Sequence, residues 1–219
     1  MNTKDSEYRK QIVDIGRRMT QRGMVGTNEG NISICDRETG RVYITPSGQS
    51  KEFLTEDMVI VVDMDGNYLE RKEGLKSSSE TVMHTRMYRL RPDVNGVVHC
   101  HAPFCSTFAI SGLPIRSHAI AEMDIMFGGE IPLLPYGEPG TDKLIDGYEQ
   151  HMGSDVVLLE NHGMLAVGAD LMAAYSRTVT AEMLAKTIWL ARVIGKEQDI
   201  PADKLAQLNT WMEKQRERS

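Results

Sequence analysis

Cysteine is scarce and basic charge is outnumbered. Cys35, Cys100 and Cys105 are an odd number without framework spacing, which excludes a disulfide scaffold and reads as free, buried thiols in a reducing compartment. The 25 Lys and Arg against 31 Asp and Glu give a formal charge of -6. That balance lacks the clustered basic surface a phosphate backbone requires, so nucleic acid is excluded as a partner. No stretch approaches the roughly 18 apolar residues of a membrane span. The first residues, Met1-Asn2-Thr3-Lys4-Asp5-Ser6-Glu7, lack the apolar segment of a secretory leader. The expectation is a soluble cytoplasmic protein with no membrane partner. No repeat or linker divides the 219 residues, of which 41% are hydrophobic, enough for a single domain over 1–219. The polar tail from about 201 to 219 reads as mobile or as a helix after Pro201.

What is present is an alternation of sheet and helix patterns. Ile12, Ile15 and Met19 form one stripe of a helix from about 6 to 23, with Gly23 as its stop. A hairpin follows over 31–35 and 42–45, then a strand at 58–63 that turns at Asp65-Gly66 onto Tyr68-Leu69. Ser77-Ser78-Ser79-Glu80 precedes a helix carrying Val82, Met83, Met87 and Leu90, halted at Arg91-Pro92. Strands are expected at 94–101, 131–134, 155–159 and 164–167, and helices at 103–111, 141–152 and 170–194. Many connections are too short for parallel crossovers. The pattern predicts an α/β domain with a mostly antiparallel central sheet flanked by helices.

Three histidines carry the chemistry. In Val97-Val98-His99-Cys100-His101, His99 and His101 stand at i and i+2 of a strand. Such side chains share a face with Cα atoms about 6.8 Å apart, so two imidazoles can converge on one ion. His162, in Glu160-Asn161-His162-Gly163, supplies a third ligand. Three histidines leave a tetrahedral site one open position, the mark of catalytic zinc; manganese and iron fit the ligand type less well. Strand alternation turns Cys100 to the opposite face. His84, His118 and His151 read as structural or surface residues. Glu80, at a helix start, either complements the helix dipole or serves as an acid/base. The serines at that helix start suit a phosphate or another anion. The turns Gly30-Asn31 and Ser47-Gly48 can complete such a cradle, although ordinary turn chemistry accounts for either alone.

Assembled in order, these residues resemble the class II aldolase and epimerase family. The resemblance spans most of the chain. It is carried by Gly30-Asn31-Ile32-Ser33, Ile44-Thr45-Pro46-Ser47-Gly48, Ser78-Ser79-Glu80, Val97-Val98-His99-Cys100-His101-Ala102, Pro135-Tyr136-Gly137 with Gly140-Thr141, and Asn161-His162-Gly163. It implies a three-layer class II aldolase-like fold and a zinc site of His99, His101 and His162. Glu80 is implied as acid/base and as fourth ligand of the empty enzyme. Gly30, Asn31, Ser47, Gly48, Ser78 and Ser79 fall where the family binds a sugar phosphate, and the implied assembly is a homotetramer with intersubunit active sites.

The reaction so implied is reversible cleavage of a ketose 1-phosphate, such as L-fuculose 1-phosphate, to dihydroxyacetone phosphate and a small aldehyde. Cleavage beside a ketone leaves an enediolate, whose charge a chelated divalent cation stabilises. The family's epimerase carries an aspartate where Glu80 stands, so the glutamate favours the aldolase over a pentulose 5-phosphate 4-epimerase. A sugar-acid phosphate decarboxylase and a non-catalytic adducin-like module are further readings within the family. A zinc hydrolase lies outside it. The chain departs from the fuculose phosphate aldolase pattern at the aldehyde end. Residues 119–127 hold no tyrosine and offer Glu122 and Asp124, the latter similar to an acid of the epimerase. The last tyrosine is Tyr175, and after Pro201 only Trp211 is available.

Overall fold

The computed structural model describes residues 3–216. In chain order it forms α1 (Thr3–Gln21), β1 (Asn31–Asp36), β2 (Arg41–Ile44), β3 (Ile60–Val62), β4 (Tyr68–Glu70), α2 (Thr81–Leu90), β5 (Gly96–Cys100) and α3 (Pro103–Ile110). Then come β6 (Ile115–Arg116), α4 (Ala121–Phe127), β7 (Glu130–Ile131), β8 (Leu133–Leu134), β9 (Val156–Leu159), β10 (Gly163–Gly168), α5 (Leu171–Ile194) and α6 (Ala202–Arg216). The central sheet has eight strands in the order β4-β3-β2-β1-β5-β10-β9-β8. Its pairs are antiparallel except β8 with β9. β6 and β7 form a separate antiparallel pair.

Strand alternation sorts the apolar side chains into two cores. Val98 and Cys100 of β5 enter one with Ile12, Ile15 and Met19 of α1 and Ala181, Leu184 and Ile188 of α5. Val97 enters the other with Met83, Met87 and Tyr88 of α2. Helices therefore cover both faces, giving the three-layer α/β arrangement with a mostly antiparallel sheet. Each fully buried Ile or Met on α1 contributes roughly 1.5–3 kcal/mol, which fixes that helix against β1. Cys100 faces away from His99, as alternation requires.

Local chemistry accounts for the differences from the expected elements. The helix expected over 141–152 is two 3-10 turns, Asp142–Ile145 and Tyr148–His151, parted where Gly147 takes a φ of 87°. The strand expected over 131–134 is divided at Pro132, which has no N–H to give a ladder. Ile131 pairs with β6, while β8 joins the main sheet. β6 and α4 had no periodic signal long enough to find. The tail after Pro201 forms α6, tied to the body where Ile200 N–H donates to His118 O and packed on α4. Residues 217–219 of the expected mobile tail lie outside the described residues.

Candidate active site

Asn31 of β1 lies directly opposite His99 of β5, and cross-strand partners project to the same face. Ser33, two residues on, shares that face. Over it lies α2, whose start presents Glu80, His84 and Tyr88 at i, i+4 and i+8 along one side. Close approach needs glycine at two positions. Gly30 has a φ of 74°, and a Cβ there would lie 2.9 Å from His99 O. A Cβ on Gly163 would lie 2.6 Å from Cys100 O and 2.8 Å from the His101 ring. The turn before it places His162, with Asn161 in the left-handed region at φ 55°, which asparagine tolerates better than most residues.

The ligating atoms of His99, His101 and His162 lie within 4.8 Å of one another. His99 Nε2 is 3.1 Å from His162 Nε2, close to the ~3.3 Å that two nitrogens on one tetrahedral zinc would show. His99 Nδ1–H donates to Met164 O at 2.8 Å, which fixes the tautomer and turns Nε2 toward the other rings. Burial pushes the His99 imidazole down to about 4, against the pull of Glu80, so it is neutral at pH 7. His101 is lowered as well, first by burial and then by the neighbouring His162. Glu80 bridges the group, with Oε1 3.1 Å from His162 Nε2 and Oε2 3.3 Å from His99 Nε2. Three convergent imidazoles beside one carboxylate are a donor set that fits a divalent cation.

Behind Glu80 runs a buried chain of hydrogen bonds whose polarity can be assigned link by link. An ionised carboxylate only accepts, so Asn31 Nδ2 donates to Glu80 Oε2 at 2.7 Å. Asn31 Oδ1 then accepts from His84 Nε2–H. In neutral imidazole the other nitrogen accepts, so Ser33 Oγ–H donates to His84 Nδ1 at 2.6 Å, and Tyr88 O–H donates to Ser33 Oγ at 2.7 Å. Complete burial lowers His84 to about 3, consistent with that neutral tautomer. For Glu80 itself, burial opposes ionisation, but His162, His99 and the Asn31 amide hold the carboxyl well below the usual range.

Next to the carboxylate opens a cleft of about 140 Å³ lined by Gly30, Asn31, Ser47, Gly48, Ser78, Ser79, Glu80 and His101. Two loops meet there. Pro46 and Ser77 form an isolated antiparallel bridge, Ser47 N–H donates to Lys76 O, and Ser78 N–H donates to Thr45 O. The serines do not cap α2: Ser78 Oγ accepts from Glu80 N–H, while Glu80 occupies the N-cap position without a side-chain capping bond. The residues expected at the phosphate position thus line one cleft with Glu80 and His101, while His99 and His162 adjoin it through their contacts with Glu80. Lys51 and Asn28 also line it and had no sequence signal. His84, expected to be structural or on the surface, is fully buried behind Asn31. The other expected structural or surface histidines lie apart: His118 Nδ1 is 2.7 Å from Asp124 Oδ1, and His151 ends a 3-10 turn.

Three imidazoles and a carboxylate at the edge of a three-layer sandwich define a candidate metalloenzyme of the α/β class. Comparison with known proteins gives the family: residues 10–189 match the Class II Aldolase and Adducin N-terminal domain, and the chain belongs to that family. It is 34% identical over 203 residues to a 5-deoxy-D-ribulose 1-phosphate aldolase of Bacillus thuringiensis serovar kurstaki, covering 91% of this chain and 92% of that one. It is 31% identical over 204 residues to an L-ribulose-5-phosphate 4-epimerase of Salmonella paratyphi C, covering 86% and 87%. A solved L-fuculose 1-phosphate aldolase superposes with a TM-score of 0.84 at 25% identity, over 94% of this chain and 96% of that one.

Proposed function

We propose that this protein is a metal-dependent aldolase that reversibly cleaves a ketose 1-phosphate to dihydroxyacetone phosphate and a small aldehyde. The observation that carries the reading is the meeting of His99, His101, His162 and Glu80 beside a cleft that Glu80 and His101 line together with Gly30, Asn31, Ser47, Gly48, Ser78 and Ser79. The aldolases similar to this chain support it. His99, His101 and His162 would hold the metal, zinc first by ligand type, with Glu80 as fourth ligand before substrate binds. Held there, the cation would supply charge stabilisation to the oxygens of the cleaved ketose.

The remaining chemistry belongs to the chain. Serine hydroxyls and exposed backbone N–H groups of the cradle bind and orient the phosphate, and so place the sugar carbons beside Glu80. In the synthetic direction the ionised Glu80 takes a proton from the carbon beside the ketone. In cleavage its protonated form returns that proton to the carbon that has lost its carbon-carbon bond, while the hydroxyl of the departing fragment gives its proton to water as it becomes the aldehyde. An imidazole nitrogen that ligates metal has no proton to donate, so in the loaded enzyme Asn31 is the donor left on Glu80. The reading places the enzyme in the cytoplasm. It also makes it a homotetramer, supported by the exposed apolar end of α5, where Val193 and Ile194 are 62% and 88% exposed.

A product assay on zinc-loaded protein tests this, using a panel of ketose 1-phosphates, pentulose 5-phosphates and 3-oxo sugar-acid phosphates. Release of dihydroxyacetone phosphate, abolished by chelation, is expected. An epimeric pentulose phosphate as sole product would instead support the second reading, favoured by the relatedness to a 4-epimerase. Carbon dioxide would point to the decarboxylase, and a protein inert with metal bound to the adducin-like module.

A further inference from the structure

Lys51 follows the Ser47-Gly48 turn and is 1% exposed, a burial almost never seen for an unpaired lysine. Its stem passes against Gly16 of α1, where an added Cβ would lie 3.3 Å from Lys51 Cβ. Its Nζ donates to Asn28 O at 3.0 Å and to Gln49 O at 3.3 Å. Among the described residues no carboxylate lies within ion-pair distance of it. The nearest acids are engaged elsewhere. Glu29 accepts from Gly26 N–H and Asn28 N–H, and Glu80 faces Asn31, His99 and His162.

A buried ammonium without a counter-charge is costly. Burial indeed lowers Lys51 to about 8, against the opposing pull of Glu29 and Glu80, so at pH 7 the group still carries its proton. An ammonium has three N–H bonds and the two carbonyls take two of them. Lys51 also lines the cleft, the only lysine or arginine among the described residues that do.

We propose that Lys51 is the charged contact of the cradle, giving its third N–H and its positive charge to a phosphate dianion bound between the Ser47-Gly48 turn and Ser78-Ser79. This inference rests on the phosphate reading of the cleft and deepens it. The other cradle groups are neutral hydroxyls and amides, which do not discriminate strongly between a phosphate and a neutral sugar hydroxyl. A desolvated cation does, so Lys51 confines the substrates to phosphorylated ketoses.

Titration calorimetry with inorganic phosphate tests it on the zinc-loaded wild type, on Lys51→Met and on a Ser78→Ala/Ser79→Ala double variant. Lys51→Met, close in volume and uncharged, is expected to weaken phosphate binding roughly ten- to a hundredfold, the range for a hydrogen bond to a charged group. Its zinc content should stay the same and its melting temperature at pH 7 should be equal or higher. In the cleavage assay its KM should rise more than its kcat falls. Unchanged phosphate affinity in Lys51→Met, with loss in the serine variant, overturns the role of Lys51 and leaves the cradle standing. Unchanged affinity in both, or no binding to the wild type, overturns the cradle reading itself. Should Lys51→Met fail to fold, Lys51→Gln keeps a donor for the two carbonyls without the charge and decides the matter in the same way.

Discussion

Replacing His84 by leucine separates a positioning role from packing. The imidazole makes two buried hydrogen bonds, to Asn31 Oδ1 and to Ser33 Oγ. Ser33 keeps Tyr88 as a partner in the variant, so the main orphan is Asn31 Oδ1. An unsatisfied buried acceptor costs about 1–3 kcal/mol, and a chain of this size loses about 2–4 °C of melting temperature per kcal/mol. A fall of roughly 2–12 °C follows. The amide can satisfy that oxygen only by turning it toward a protonated Glu80, which exchanges the donor beside the carboxyl group for an acceptor. A hydrogen bond to a charged group is worth about 1.5–3 kcal/mol, or about one to two pKa units. Losing the donor favours the protonated form, so the Glu80 carboxyl rises. In the synthetic direction Glu80 takes the proton and must be ionised, so the acid limb of kcat/KM for the condensation reaction should move up by about one to two pH units. Tyr88→Phe removes only the far donor, and should cost about 1 kcal/mol without moving the limb. A His84→Leu enzyme that melts earlier yet keeps the wild-type pH profile would refute the relay and leave His84 a packing residue.

Three other outcomes are expected. Glu80→Gln should retain most of its zinc by elemental analysis while losing solvent proton exchange at the carbon beside the ketone; normal exchange would remove Glu80 from the acid/base role. His99→Ala should lose both metal and activity, because the ring whose tautomer Met164 O fixes is gone. Stoichiometric zinc in that variant would reject the three-histidine site. Acid should destabilise the metal-free protein. His84 and His99 are neutral in the fold, lowered to about 3 and about 4 from an ordinary 6.5, so below pH 6.5 the unfolded chain takes up protons that the native state refuses. Each costs about 1.4 kcal/mol per pH unit, and thermal melts in a chelator should fall steeply from pH 6.5 to 5. A flat profile over that range contradicts the burial of neutral imidazoles.

How much of this was readable in sequence depends on how local each signal is. The His99-x-His101 spacing is local: β5 carries His99, and His101 follows directly after the strand's last residue, Cys100. The join between Ser47-Gly48 and Ser78-Ser79 is made by the Pro46–Ser77 bridge and two backbone bonds, contacts between segments that no periodicity encodes. The position of His84 was half legible. Glu80, His84 and Tyr88 form a polar i, i+4, i+8 stripe beside the apolar Met83 and Met87, and Asn31 and Ser33 form the matching i, i+2 pair on β1. Neither stripe predicts the other, because their meeting depends on which strand α2 covers. Lys51 had no signal, since its environment is made by Gly16 of α1 and by two carbonyls from separate loops. Gly147 and Pro132 show the converse: both were visible, and each broke an element that apolar pattern alone would have continued.

The two ends of the cleft rest on different kinds of support. The metal and carboxylate end is held by β1, β5, β10 and α2, all in the sheet centre or packed on it, where side chains have little freedom. The proposed phosphate end is backbone, hydroxyl and the Lys51 ammonium, all from loops. Among the described residues the cleft is lined only by segments 28–31, 46–51, 78–80 and 101, which offer no separate aldehyde end. Tyr175 is buried, its hydroxyl accepting from Arg22 Nε–H, and Asp124 faces His118. Trp211 lies half exposed on α6. On the proposed reading, the groups that bind phosphate are built into the protomer, and recognition of the variable fragment falls to whatever surface closes over the cleft. In the proposed tetramer that surface is a second copy of the chain, which accounts for relatives of similar identity being named for different sugars.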